Sequence, residues 1–165
     1  KSSTGYARTV GVDSFFDRIV NVPLDSDCVT IFGSGNDLGS GLNLGTPSDD
    51  VTANTICGYI NGTIDRLINI MPTVSLGIVS PCPWKDYPPS ATNSMSDYVN
   101  ALKTICEMRS IPFLDLYHCS NLRPWTAEGR TACYSRDSGN GVHPDEHGHK
   151  LLAPRFKIFV ESLIN

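Results

Sequence analysis

Two short stretches carry side chains suited to acyl chemistry. The first is Ile31-Phe32-Gly33-Ser34-Gly35-Asn36-Asp37. An apolar run ends there in a glycine-rich turn, and a primary amide held in such a turn can be aimed at a fixed point, as an oxyanion donor requires. Asn and Asp also shape turns without doing chemistry, and taken alone Asn36-Asp37 fits that plainer role better. The second stretch is Asn140-Gly141-Val142-His143-Pro144. Pro144 suits the first position of a helix, so His143 stands just outside one, where an imidazole can serve as a general base near neutral pH. A surface histidine beside a helix start is again the commoner role. His147 and His149 raise the question of zinc. Pro144 keeps His143 off the regular helix, and side chains two apart on a helix do not face each other. No metal site is expected from these histidines.

The elements that must position these residues alternate. Val12, Phe15, Phe16, Ile19 and Val20 recur at helical spacing, with Ser14 as the helix start. Short apolar runs predict strands near residues 28–33, 74–80 and 112–117. Between them, Pro47-Ser48-Asp49-Asp50 marks a helix start, followed by an apolar face from Ile56 to Met71. Ser94-Met95-Ser96-Asp97 reads as a capping box before the stripe Met95, Tyr98, Val99, Leu102, Ile105 and Cys106. The last helix opens at Pro144 and carries Leu152, Phe156, Phe159, Val160 and Leu163. Strands separated by helices predict a parallel α/β sheet in the spatial order of the sequence, with ligands bound at the strands' C-terminal ends. The loops 33–45, 80–93 and 118–143 leave those ends, so Asn36 and His143 are expected to converge there.

Bulk properties narrow the partners. A chain of 165 residues, 40% hydrophobic and 18% charged, suits one globular domain over 1–165. A net charge of -4 without a basic run argues against nucleic acid and anionic membranes as partners. No apolar stretch is long enough to span a bilayer. The six cysteines form no CxxC pair. Cys28, Cys57 and Cys106 fall in apolar patterns and read as buried thiols. Cys119 and Cys133 flank a polar loop, the best placed pair if there is a disulfide. Asn61-Gly62-Thr63 matches a glycosylation sequon inside a helical pattern, a match common by chance.

Taken together, a strand ending in Gly-Ser-Gly-Asn-Asp and a downstream Gly-Val-His-Pro helix start resemble the SGNH (GDSL-like) hydrolase family over nearly the whole chain. The spacing from Gly33 to Thr46 looks most like SGNH domains of phage-tail and gut-bacterial proteins. The resemblance implies a three-layer α/β sandwich of flavodoxin-like type. It also implies a serine ester hydrolase that needs no cofactor and acts on a small-molecule or carbohydrate ester, with O-acetyl groups expected. It assigns Asn36 as an oxyanion donor and His143 as the base. Thr4-Gly5-Tyr6-Ala7 is similar to the family's second block, whose glycine N–H also donates to the oxyanion, so Gly5 takes that place.

The sequence departs from the family pattern in three ways. The block with the nucleophilic serine, Gly-Asp-Ser after the first strand, has no counterpart. Gly11-Val12-Asp13-Ser14 mimics it but opens a helix. The first strand is therefore expected to be missing, leaving an apolar sheet edge to be filled by an N-terminal segment or another copy of the chain. Next, the family's Asp that orients the base is Asn140. Such a change costs about 10⁴ in rate in a chymotrypsin-type triad, and Asp137 could replace it through a turn at Ser138-Gly139. Finally, Ser34 replaces a glycine. The alternative to an enzyme is a non-catalytic carbohydrate-binding or tail-assembly module on the same fold.

Overall fold

The computed structural model describes residues 3–85, 94–134 and 141–164. Ser14 opens the first helix, α1 (Phe15–Arg18), with a capping box: its hydroxyl accepts from Asp17 N, and the Asp17 carboxylate accepts from Ser14 N. The helix passes into a 3-10 turn at Ile19–Asn21. The apolar spacing from Val12 predicts a longer helix. Val12 instead lies before the cap and is exposed.

Strand β1 (Cys28–Phe32) pairs in parallel with β2 (Ser75–Val79), Cys28 beside Ser75 and Phe32 beside Val79. Strand β3 (Phe113–Leu114) pairs in parallel with the other edge of β2. The sheet order β1-β2-β3 is the one expected. The third strand is shorter than the predicted 112–117. Asp115 ends it by accepting from His118 N, which starts a one-turn helix, α4 (Leu116–Cys119). A side-chain cap outcompetes the strand propensity of the residues that follow.

Helix α2 (Ile56–Ile70) starts later than Pro47-Ser48-Asp49-Asp50 predicts. Asp50 caps only a 3-10 turn, Val51–Ala53, which the left-handed Asn54 terminates; Thr55 is the true N-cap. Asp49 accepts from Thr46 N, Thr46 Oγ1 and Thr55 Oγ1, so the acidic pair folds the entry loop rather than the first helical turn. Helix α3 (Met95–Met108) begins at the predicted Ser94–Asp97 capping box. After α5 (Ala127–Cys133), the last helix α6 (Glu146–Ile164) begins two residues beyond Pro144, with Asp145 accepting from Gly148 N.

These elements make three layers. On one face α2 and α3 bury Ile60, Ile64, Leu67, Leu102 and Ile105 against Ile31 and Ile78. Each such side chain contributes about 1.5–3 kcal/mol of hydrophobic transfer. On the other face α6 lays Phe159 and Leu163 on Gly77, where a Cβ would meet their side chains at 2.6–2.8 Å. Asn61 is buried, its amide donating to Pro47 O and Asp49 O and its Oδ1 accepting from Arg109 Nε, so the sequon asparagine is committed to the interior. All six cysteines are free thiols; Cys119 and Cys133 do not form the disulfide their positions suggested. Burial pushes Cys57, Cys82 and Cys106 up to about 12. No helix among the described residues is long and apolar enough to cross a membrane.

Among the described residues, no strand pairs with the outer edge of β1. Gly33 N donates to Val79 O and Asp27 O accepts from Ser75 N, so the odd-numbered residues here face β2. Cys28, Thr30 and Phe32 therefore turn their backbone groups outward, because successive residues of a strand point to opposite sides. Apolar grooves flank this edge on both faces. One, of about 330 Å³, is lined by Phe15, Ile19, Val22, Val29 and Ile31. The other, of about 280 Å³, is lined by Phe32, Leu116, Leu152, Ala153 and Phe156.

Candidate active site

The loop after β1 is built around its own side chains. Ser34 caps the 3-10 turn Gly35–Gly39 by accepting from Asn36 N at 3.2 Å. Its hydroxyl donates to Thr4 O at 2.8 Å. Asn36 Nδ2 donates to the same Thr4 O at 3.1 Å. A primary amide carries two N–H donors, so one remains for a ligand. The loop after β1 and the segment around Gly5 are thus one unit, although 30 residues separate Ser34 from Thr4.

Gly5 lies buried in that unit. Its carbonyl accepts from Phe15 N at 2.7 Å, while its N–H has no hydrogen bond among the described residues. Buried backbone N–H groups are rarely left unpaired, and this one belongs to the trans peptide whose carbonyl, Thr4 O, accepts from Asn36 and Ser34. A Cβ at residue 5 would collide with the Asp37 carboxylate, so only glycine allows this approach.

Asp37 has a larger part than its reading as a turn residue implied. It is fully buried and accepts from Tyr6 N at 3.0 Å, Ala7 N at 2.7 Å, Arg8 N at 3.0 Å and Tyr98 Oη at 3.0 Å. Burial raises its carboxyl above the ordinary value, and the four donors oppose that shift. Successive backbone N–H groups around one anion form a nest. The sequence offered one signal for this role, an acid following the glycine-rich turn, but not the partner, since Tyr98 is 61 residues away.

His143 is exposed and lies between Gly141 and the start of α6. Gly141, left-handed at φ 78°, accepts from Lys85 N at 3.2 Å. The neighbouring Trp84 packs on Gly35, where a Cβ would meet its ring at 2.6 Å. A chain of contacts thus ties the His143 segment through the loop after β2 to the loop holding Asn36, all at the C-terminal edge of the sheet. Asn140 and Asp137, the candidate partners of His143, lie outside the described residues. His147 and His149 are exposed on α6, as expected of solvated helix positions.

The two serines near the site are committed elsewhere. Ser14 is fully buried and its hydroxyl donates to Asp17 Oδ2 at 2.7 Å. Ser34 spends its proton on Thr4 O. The sequence reading passed over Asp115 and His118, whose spacing is also Asp-x-x-His. Their side chains meet at 2.8 Å, Nδ1 to Oδ2, just past β3. β3 is two strand spacings from β1, about 10 Å, which sets this imidazole away from Asn36.

Among the described residues the Gly5 N–H and one Asn36 N–H make no hydrogen bond, and the His143 segment is tied by contacts to the loop that carries Asn36. The pattern of the GDSL-like Lipase/Acylhydrolase family matches residues 3–151. No curated protein matches the chain significantly. Among solved structures, a Lactobacillus plantarum protein is similar at 25% identity and a TM-score of 0.82, covering 98% of this chain and 78% of its own. A Bacteroides ovatus protein described as a GDSL-like lipase is 17% identical with a TM-score of 0.64, covering 97% of this chain and 68% of its own. A Chitinophaga pinensis protein described as a lipase is 17% identical with a TM-score of 0.66, covering 92% and 80%. With nine-tenths of its length matching the family pattern, on an α/β fold shared with these structures, the chain belongs to the GDSL-like lipase/acylhydrolase family, a family of ester hydrolases.

Proposed function

We propose that this chain is the oxyanion-binding and base-carrying part of a carbohydrate O-acetylesterase, and that a segment N-terminal to Lys1 supplies its nucleophilic serine. The observation that carries the reading is that the Gly5 N–H and one Asn36 N–H make no hydrogen bond among the described residues, in two segments joined by the bond from Asn36 Nδ2 to Thr4 O. His143 takes the serine proton as the hydroxyl attacks the ester carbonyl, and the carbonyl oxygen becomes the anion held by Gly5 and Asn36. Collapse expels the sugar alcohol, which receives that proton. Water, deprotonated by His143, then releases acetate and regenerates the serine. Asn140 or Asp137 orients the imidazole.

The outer edge of β1 supports the location of the missing serine. A strand added there in parallel would send alternate side chains into the two flanking grooves. Its C-terminal end would emerge beside Gly33 and Gly5. A small acyl group is supported by the close packing of Trp84 and Met95 on Gly35, the residue before Asn36. A second reading, a non-catalytic carbohydrate-binding or tail-assembly module, is favoured by one observation: neither Ser14 nor Ser34 has a hydroxyl poised for attack.

Acyl-length preference tests the substrate class. With the N-terminal segment restored, an acetyl ester of p-nitrophenol is expected to exceed the octanoyl ester by about tenfold or more in kcat/KM, and acetate should be released from acetylated oligosaccharide. Equal or faster turnover of the octanoyl ester would remove the O-acetyl assignment.

A further inference from the structure

Asp37 is the one charged side chain fully buried among the described residues. Isolated burial of a carboxylate is costly and is tolerated when donors surround it. Here four donors do so, three of them successive backbone N–H groups of residues 6–8. The backbone they hold is not relaxed. Thr9, which follows directly, sits in the left-handed region at φ 67°, an outlier for a β-branched residue. Such conformations persist only where surrounding contacts over-determine them, and they gather at functional sites. Tyr98 comes from α3, fully buried, so its hydroxyl reaches the carboxylate from a rigid element.

From this geometry we infer that Asp37, steadied by Tyr98, is a positioning residue that fixes the turn following Gly5, and with it the Thr4–Gly5 peptide held by the Asn36 amide and the Ser34 hydroxyl. It touches no reacting atom. It grips the residues that follow Gly5 and is itself bonded in sequence to Asn36, so both candidate oxyanion donors hang on one carboxylate. The inference rests on the proposed esterase reading for its effect on turnover, but the grip itself is independent of that reading. Asp37→Asn keeps the shape and reverses the polarity of one arm, setting an NH₂ against backbone N–H donors. Tyr98→Phe keeps the carboxylate and removes one of its four donors.

Two measurements separate the outcomes. In the protein carrying the N-terminal segment, Asp37→Asn is expected to lower kcat for phenyl acetate by about tenfold to hundredfold with KM little changed, as a small misplacement of catalytic geometry does. Tyr98→Phe should lower kcat less, again without raising KM. A folded Asp37→Asn protein with wild-type kcat would overturn the inference; if that variant does not fold, unchanged kcat in Tyr98→Phe does so. In the 165-residue chain, amide hydrogen exchange followed by NMR gives a readout free of activity. Tyr98→Phe should speed exchange at Tyr6, Ala7 and Arg8 and shift the Gly5 amide, while Ile64 and Leu102 stay protected. Unchanged exchange and an unmoved Gly5 amide also refute the inference. If the wild-type protein hydrolyses no ester yet these amides respond, the esterase proposal fails and the grip of Asp37 on the Gly5 turn stands.

Discussion

Replacing His143 by alanine, in the protein carrying the N-terminal segment, is expected to lower kcat/KM for an acetyl ester by roughly 10⁴ to 10⁶. Without a base the serine hydroxyl keeps its proton, and the oxyanion donors alone give only residual acceleration. The control is His118→Ala. His118 already has a carboxylate partner, Asp115, and would be the better base if geometry near β3 allowed it. It lies beyond β2 from Asn36, so its loss should leave turnover within about twofold, the usual reach of a surface substitution. A steady-state comparison of the two variants decides between them. Loss of activity in His118→Ala with survival of His143→Ala would move the base to the end of β3.

The second large effect is expected at Asn36. Asn36→Ala removes one of two donors to the developing anion, and loss of a single such donor costs about 10² to 10³ in kcat. The substrate carbonyl in the ground state gains little from that donor, so KM should hardly move. Because the same amide also donates to Thr4 O at 3.1 Å, a separate check is needed that the Gly5 turn persists. Wild-type amide hydrogen exchange at Tyr6, Ala7 and Arg8 in the variant supplies it; Asn36→Asp, in turn, keeps the size, loses both N–H donors and places a negative charge beside the anion. It should be at least as damaging as alanine. A kcat within threefold of wild type for both variants would exclude Asn36 from oxyanion binding.

The frame of the fold was legible because its signals are local. Three apolar runs, each ended by Gly, Pro or Asp, lie between helical patterns, and the sheet has the expected parallel order. The capping box at Ser94 and Asp97 formed as its spacing implies. Boundaries failed where side chains compete with the backbone. Asp115 caps a turn and cuts β3 short, and Asp49 and Asp50 fold the loop before α2 while Thr55 caps the helix. At the site, the pairing of Asn36 with the Gly5 segment followed from family resemblance rather than from spacing. The hub that enforces it, Asp37 with Tyr98, depends on contacts 29 to 61 residues apart that no local pattern encodes. The sequence also hid the commitment of Ser14 and Ser34, since a serine beside glycine looks the same whether its hydroxyl is free or bonded.

The central claim is that oxyanion donors and base reside in this chain while the nucleophile belongs to a strand added at the edge of β1. Labelling with a serine-reactive fluorophosphonate, read by intact mass and peptide mapping, tests it most directly. The account predicts no adduct on the 165-residue chain, and one adduct per protein, on a serine of the added segment, once that segment is restored. Stoichiometric labelling of Ser14 or Ser34 in the chain alone, accompanied by ester turnover, would contradict it.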